Sequence, residues 1–181
     1  MFSTENWKRA EAEVSYLMLL IKTHLKKEFE FYRQNKIRII HSGDVEGLPA
    51  DIQDEIRRAV AETAVYEEGL TVNLAINYGG RNEIIRAVSR WMKAESGNGT
   101  RLNHRELTEK KLSLYLDNPA LPDPDLIIRT SGEMRISNFL LWESPYSELY
   151  FSSKCWPEWE GRDLLEALEC YRRRERRFGC T

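Results

Sequence analysis

Leu70-Thr71-Val72-Asn73-Leu74-Ala75-Ile76 is the clearest strand in this chain, and Tyr78-Gly79-Gly80 follows it before a helical pattern takes over from about Asn82 to Ala94. Alternating β-branched and aliphatic residues suit a pleated, half-buried surface, and the glycine pair permits a tight exit into the helix. Upstream, Ile37-Arg38-Ile39-Ile40-His41 reads as a second strand ended by Gly43-Asp44. Between the two lies an amphipathic helix from about Ala50 to Tyr66, with Ile52, Ile56, Val60 and Ala64 on one stripe and Gly69 as its expected stop. Val14, Leu17, Met18, Ile21 and Leu25 recur at three- and four-residue steps, which predicts an earlier helix that continues, with a break, through Phe29 and Tyr32.

Downstream the pattern persists. Glu95 to Asn103 is polar and glycine-containing, a loop; a short helix is expected near Thr108 to Leu116, then a proline-rich segment from Asn118 to Pro124. Leu126-Ile127-Ile128 reads as a buried strand delivering Arg129, and Leu149-Tyr150-Phe151 as another short strand. A last helix is expected from about Gly161 to Arg177. Strands alternating with helices predict one α/β domain over residues 1–181, built on a mostly parallel sheet flanked by helices. Ligands in such sheets bind beyond the carboxyl ends of the strands. Three polar clusters fall there: Asn77 to Arg81, Arg129 to Ser137, and the residues around Asn6.

Composition narrows the function classes. The 27 basic and 29 acidic side chains nearly cancel, so no whole-protein field favours nucleic acid or an anionic membrane. Any anion site must come from locally placed arginines. Cys155, Cys170 and Cys180 form neither a metal-ligand pattern nor an even-numbered disulfide framework, and His24, His41 and His104 are dispersed. Reduced thiols and a cytoplasmic location are expected. The apolar run Tyr16 to Ile21 is far short of the roughly 20 residues that span a bilayer, so no transmembrane segment is expected.

The segment Asp123-Pro124-Asp125-Leu126-Ile127-Ile128-Arg129-Thr130-Ser131-Gly132-Glu133-Met134-Arg135-Ile136-Ser137-Asn138-Phe139-Leu140-Leu141-Trp142 carries most of the chemistry. Two guanidinium forks and a hydroxyl on one loop suit a diphosphate. By spacing alone a charged surface loop carries more weight. Gly79-Gly80-Arg81 is likewise open between a tight turn and a phosphate-cradling helix start. Taken alone, Glu148 is either a metal ligand or an exposed strand-edge carboxylate.

This segment resembles the C-terminal signature of the cis-prenyltransferases, the undecaprenyl diphosphate synthase family. Phe2-Ser3-Thr4-Glu5-Asn6-Trp7-Lys8-Arg9, Asn77-Tyr78-Gly79-Gly80-Arg81, Ser147-Glu148-Leu149-Tyr150-Phe151 and Arg174-Glu175-Arg176-Arg177-Phe178-Gly179 match further family motifs in the family's order. The resemblance implies an undecaprenyl diphosphate synthase-like fold and a transferase joining isopentenyl diphosphate to an allylic prenyl diphosphate. It implies that Arg129, Arg135 and Ser137 hold the diphosphate of isopentenyl diphosphate, and that Asn6 is catalytic, assisting proton removal. Trp7 and Arg9 border the reacting ends, Arg9 toward the allylic diphosphate. Glu148 is implied to bind Mg2+, a hard cation that shares its oxygen ligands with substrate phosphates. The first helix is implied to line a tunnel for the growing polyprenyl tail. A homodimer, and a peripheral membrane contact for product release, follow from the same resemblance. Ala10 stands where a proline is common in the family, which bears on the helix start alone.

One family feature is absent. The family's Asp-Gly-Asn-Gly-Arg-Trp loop, whose aspartate binds the metal and whose backbone grips the allylic diphosphate, does not occur in these residues. The resemblance therefore implies an N-terminally truncated domain lacking a strand, a helix and most of a second strand, roughly 30 residues or more. Little or no activity of this chain alone is expected, and a noncatalytic partner subunit of a complete homologue is the alternative. The arginine run Arg172-Arg173-Arg174 complements a helix C-terminus rather than reading as a nucleic-acid patch.

Overall fold

The computed structural model describes residues 1–96 and 106–175. It divides into two compact units, Met1–Ala120 and Leu121–Thr181. The expected loop at 95–103, His104, Cys180 and the motif residues beyond Glu175 lie wholly or largely outside the described residues.

The first unit runs β1 (Phe2–Ser3), a 3-10 turn (Thr4–Lys8), α1 (Glu11–Gln34), β2 (Arg38–Ser42), α2 (Ala50–Thr63), β3 (Thr71–Tyr78), α3 (Gly80–Ser96) and α4 (Glu109–Ser113). Its sheet is three-stranded and parallel, in the order β1-β3-β2, with Phe2 opposite Ile76 and Arg38 through Ser42 opposite Thr71 through Ala75. The expected parallel sheet and flanking helices are present.

Helix α1 is continuous, so the expected break before Phe29 is absent. Val14, Met18, Leu25 and Phe29 are buried on it, and one side-chain face serves the core over its whole length. Glu11 and Glu13 complement the dipole at its uncapped start. Its end is a left-handed turn: Lys36 takes φ 52°, and Ile37 N donates to Tyr32 O at 2.8 Å. That six-to-one bond is the Schellman pattern, here with lysine where glycine is usual. Phe2, Val14, Met18, Leu25, Leu48, Ile52, Ile56 and Ile76 form the main core, and Phe29, Ile37, Ile39 and Ala59 a second cluster. Each fully buried side chain of this size contributes about 1.5–3 kcal/mol.

Helix α2 stops at Thr63, six residues before Gly69, so Gly69 is not its terminator. Its buried stripe is Ile52, Ile56, Ala59 and Thr63, while Ala64 is exposed. Thr63 explains the difference. Its hydroxyl donates to Ala59 O at 2.7 Å and accepts from Ile39 N at 2.9 Å, tying the helix end to β2. Gly69 serves a close approach instead, since a Cβ there would lie 2.2 Å from Lys36 O. Strand β3 extends to Tyr78 and α3 begins at Gly80, so one buried residue, Gly79, separates strand from helix. The glycine pair therefore makes a tight, packed junction.

The second unit contains β4 (Leu126–Arg129), β5 (Glu148–Phe151), a 3-10 turn (Trp156–Glu158) and α5 (Gly161–Arg172). Strands β4 and β5 are parallel, with Leu126 opposite Glu148 and Arg129 opposite Phe151. Helix α5 is capped by Asp163, whose carboxylate accepts from Glu160 N at 2.8 Å and from Lys154 Nζ at 2.5 Å. It ends at Arg172, short of the expected Arg177, because the chain turns at Arg174 N, which donates to Tyr171 O at 3.0 Å.

Candidate functional site: polar clusters at the strand ends

In the first unit the carboxyl ends of β1, β3 and β2 meet around Asn77. This residue takes φ 53°, a left-handed conformation that asparagine tolerates better than most residues. Its side chain accepts from Trp7 Nε1 at 2.7 Å and donates to Asp44 O at 2.8 Å. Its carbonyl accepts from Asp44 N at 3.0 Å. Trp7 also sets its ring edge-on to Phe2 of β1, centroids 5.2 Å apart. Asn6 Oδ1 accepts from Ser3 N at 2.7 Å, which closes the 3-10 turn and leaves the amide one further lone pair and its N–H groups. Arg9 pairs with Glu13 at 2.5 Å on the exposed surface. Trp7 and Arg9 line a cleft of about 610 Å³ whose apolar wall includes Val14, Met18, Pro49 and Ile52.

Behind these strand ends lies a charged network. Asp117 accepts from Arg86 through both guanidinium nitrogens, one at 2.6 Å, from Arg90 at 2.7 Å and from Gly43 N at 2.8 Å. Burial alone would raise the Asp117 carboxyl, but the hydrogen bonds from Arg86 and Arg90 outweigh it and hold the group below the usual carboxylate range. Asp117 N donates to Glu83 at 3.2 Å, and Glu83 accepts in turn from the Tyr78 hydroxyl.

In the second unit Arg129 ends β4, and a loop carrying Arg135 and Ser137 leads to β5. The start of this loop is laced to the chain after β5: Ser131 N donates to Lys154 O, Gly132 N to Ser152 O, and Ser152 N to Arg129 O, each at 2.8 Å. Ser131, Ser137, Asn138 and Leu140 all take positive φ. With Asn77, they are five of the six non-glycine residues so strained among those described, a concentration typical of binding and catalytic segments. Arg129 Nε is buried and has no hydrogen-bond partner within the described chain. A buried donor left so costs about 1–3 kcal/mol. Arg135 is exposed and paired with Glu133.

Glu148 sits elsewhere on the strand pair. It opposes Leu126, three residues from Arg129 along the strand, or about 10 Å of extended backbone. Its carboxylate is paired with Arg174 at 2.5 Å, and Arg174 also donates to Leu149 O at 2.9 Å. Among the described residues no three histidine, cysteine, aspartate or glutamate side chains gather as a metal site. One carboxylate committed to a guanidinium does not by itself fit Mg2+.

Asn6, Trp7 and Arg9 are thus brought onto one turn beside Asn77, and Arg129, Arg135 and Ser137 onto one strand end and loop. The Trp7–Asn77 bond, the Asp117 network and the Arg174–Glu148 pair were not foreseen. Only the first had a sequence signal, an asparagine before a glycine pair at a strand end. The Arg172 and Arg173 guanidiniums both pair with Glu169 at 3.0 Å, in keeping with a charge-complemented helix end.

Parallel strands alternating with helices, with arginine, asparagine and hydroxyl groups at the carboxyl ends, define an α/β protein of the kind whose ligands bind beyond those ends. The comparisons with known proteins make this specific. The family model described as "Putative undecaprenyl diphosphate synthase" matches residues 1–179. The isoprenyl transferase of Treponema denticola is 50% identical over 99% of this chain and 75% of its own length. That of Thermotoga maritima is 48% identical over 98% and 74%. Among solved structures, lavandulyl diphosphate synthase from Lavandula x intermedia, in complex with dimethylallyl diphosphate, superposes with a TM-score of 0.89 at 35% identity, covering 98% of this chain and 76% of that one. A "probable undecaprenyl diphosphate synthase" from Campylobacter jejuni gives 0.84 at 36% identity, covering 98% and 80%. The chain belongs to the undecaprenyl diphosphate synthase family of isoprenyl transferases.

Proposed function

We propose that residues 1–181 act as a single cis-prenyltransferase domain, condensing isopentenyl diphosphate onto an allylic diphosphate with cis geometry to give a polyprenyl diphosphate. In that reaction the allylic carbon–oxygen bond breaks, a carbon–carbon bond forms to isopentenyl diphosphate, and a proton leaves the new unit. The carrying observation is the buried, unpartnered Nε of Arg129 at the carboxyl end of β4. A diphosphate oxygen would satisfy it with a charge-assisted hydrogen bond. Arg135 and Ser137 on the following loop complete the grip on isopentenyl diphosphate. Arg9 meets the allylic diphosphate at the mouth of the cleft, and Trp7 with Val14 and Met18 shields the reacting end from water. The α1 stripe thus serves the core on one side and the prenyl chain on the other. To Asn6 falls assistance in removing the proton, its side-chain oxygen held by Ser3 N.

Mg2+ belongs to the complete reaction. Glu148 would be this chain's ligand to Mg2+ were Arg174 to release it, with substrate oxygens as further ligands. The pairing of Glu148 with Arg174 supports little or no transfer by this chain alone. The same observation supports a second reading, a noncatalytic subunit that docks on a complete homologue. We place the protein in the cytoplasm as a homodimer with peripheral membrane contact during product release. No helix among the described residues is long and apolar enough to cross a membrane.

Titration calorimetry with isopentenyl diphosphate tests the site. Arg129→Ala should weaken binding roughly 10- to 100-fold, the worth of a hydrogen bond to a charged group. Unaltered affinity would remove the proposal. A product assay with both substrates and Mg2+ tests the second point: robust elongation by the chain alone refutes inactivity, and activity only on mixing with a full-length relative supports the subunit reading.

A further inference from the structure

We infer that Asn77 is a positioning residue for the transfer site, acting through Trp7 rather than on substrate. The inference rests on the function proposed above. Asn77 is the penultimate residue of the central strand of the β1-β3-β2 sheet, the one strand bonded to both neighbours. Its backbone carbonyl and side-chain N–H hold Asp44, just past β2, and its side-chain oxygen holds the indole of Trp7, just past β1. One side chain therefore fixes the spacing between the two flanking strand ends. The fit is tight on every side. A Cβ on Gly47 would come within 2.7 Å of Asn77 Nδ2, and one on Gly43 within 2.1 Å of Ile76 O.

What the clamp positions is the 3-10 turn. Trp7 is 38% exposed, so its indole bond to Asn77 and its edge contact with Phe2 are the constraints that keep the ring in the cleft wall. Asn6 precedes Trp7 on that turn, and Arg9 follows two residues later. Loss of the indole anchor would therefore loosen the turn that carries these flanking groups. The left-handed backbone at Asn77 disfavours the β-branched and bulky residues, and no shorter side chain carries an acceptor and a donor on separate atoms. Asparagine meets the backbone and the side-chain requirement together.

The two requirements separate by mutation. Asn77→Gly keeps the left-handed conformation and deletes both side-chain bonds, whereas Asn77→Asp keeps the acceptor for Trp7. Asn73→Ala is the control: it removes one hydrogen bond on the same strand, Asn73 Nδ2 to Ser42 Oγ at 2.8 Å, away from Trp7. In the full chain, the Trp7 indole N–H resonance should shift and exchange faster in Asn77→Gly, stay slow to exchange in Asn77→Asp, whose carboxylate still accepts it, and hold its place in Asn73→Ala. Affinity for dimethylallyl diphosphate, measured by calorimetry, should fall about 3- to 10-fold in Asn77→Gly, the equivalent of one ordinary hydrogen bond, and stay unchanged in Asn73→Ala. An unmoved indole signal in Asn77→Gly overturns the clamp. A moved signal with unaltered affinity, or an equal loss in Asn73→Ala, overturns the positioning role. Wild-type protein that fails to bind dimethylallyl diphosphate overturns the proposed function and with it the site that Asn77 serves, while the indole readout still decides whether Asn77 holds Trp7.

Discussion

Asp117→Ala is the most informative single perturbation of the fold behind the site. The carboxylate is 4% exposed and Arg86 17%, so their paired contact is largely shielded from water. Removing one partner of a buried pair costs about 3–5 kcal/mol, because the remaining charge stays buried without compensation. Arg90 adds little to the loss, since at 43% exposure its bond to Asp117 belongs to the surface class worth about 0–1 kcal/mol. Gly43 N–H also loses its acceptor, at a cost of about 1–3 kcal/mol. Water entering beside Arg90 recovers part of this, so a net loss of about 4 kcal/mol is expected for Asp117→Ala. Arg90→Ala should cost less than about 1 kcal/mol. Urea unfolding followed by far-ultraviolet circular dichroism measures both.

The same residue carries a pH signature. Its folded carboxyl is held below the unfolded value of about 3.9 by Arg86 and Arg90. A carboxyl depressed by folding stabilises the protein above its unfolded pKa, and that contribution is lost as pH falls through the folded value. Wild type should therefore lose stability below about pH 4, and Asp117→Asn should show a shallower acid limb over that window. A loss for Asp117→Ala no larger than that for Arg90→Ala, or parallel acid limbs for wild type and Asp117→Asn, would refute the reasoning.

Two further outcomes are expected. Gly43→Ala places a Cβ against Ile76 O at φ 131°, and should cost about 3 kcal/mol or more, whereas Gly132→Ala, at φ 68° with nothing within 4 Å, should cost only the left-handed backbone penalty of about 1–2 kcal/mol; thermal denaturation ranks the two. A double-mutant cycle of Glu148→Gln and Arg174→Gln should give a coupling of about 0.5–1 kcal/mol, discounted because Arg174 is 38% and Glu148 23% exposed; zero coupling would mean that the pair does not hold the chain after α5 to β5.

The elements that periodicity revealed are those whose cores are internal to their own pattern. In α1 the recurrence of Val14, Met18 and Leu25 is itself the buried face, and in β3 the run from Leu70 to Ile76 is itself the central strand. Ends were less legible, because long-range bonds set them. Helix α2 stops where Thr63 bonds to Ile39, and the residue that looked like its stop, Gly69, answers to Lys36 instead. The residues proposed for the site, Asn6, Trp7, Arg9, Arg129, Arg135 and Ser137, are ones that a motif points to. Their partners were not legible: Asp117 reaches Gly43 across 74 positions and Asn77 reaches Trp7 across 70, separations that no local pattern encodes.

Strain and charge divide differently along the strands, and the division bears on chemistry. Five positive-φ residues lie near the end of β3 or in the loop after β4, where the backbone is bent at Asn77 on one sheet and along the Arg129 loop on the other. Strain of about 1–3 kcal/mol per residue persists only where the surroundings hold it, and here the holding bonds are visible, at Asp44 for the first and at Ser152 and Lys154 for the second. Glu148 shares none of this. It lies at the amino end of β5 with its charge spent on Arg174. Under the proposed function, diphosphate binding needs only the guanidiniums at the strained end, whereas departure of an allylic diphosphate needs positive charge placed on the leaving oxygens. With its one proposed metal carboxylate paired to Arg174 about 10 Å of strand away, the chain is then expected to hold a diphosphate better than it releases one, so substrate binding and turnover should separate when the two are measured on the same preparation.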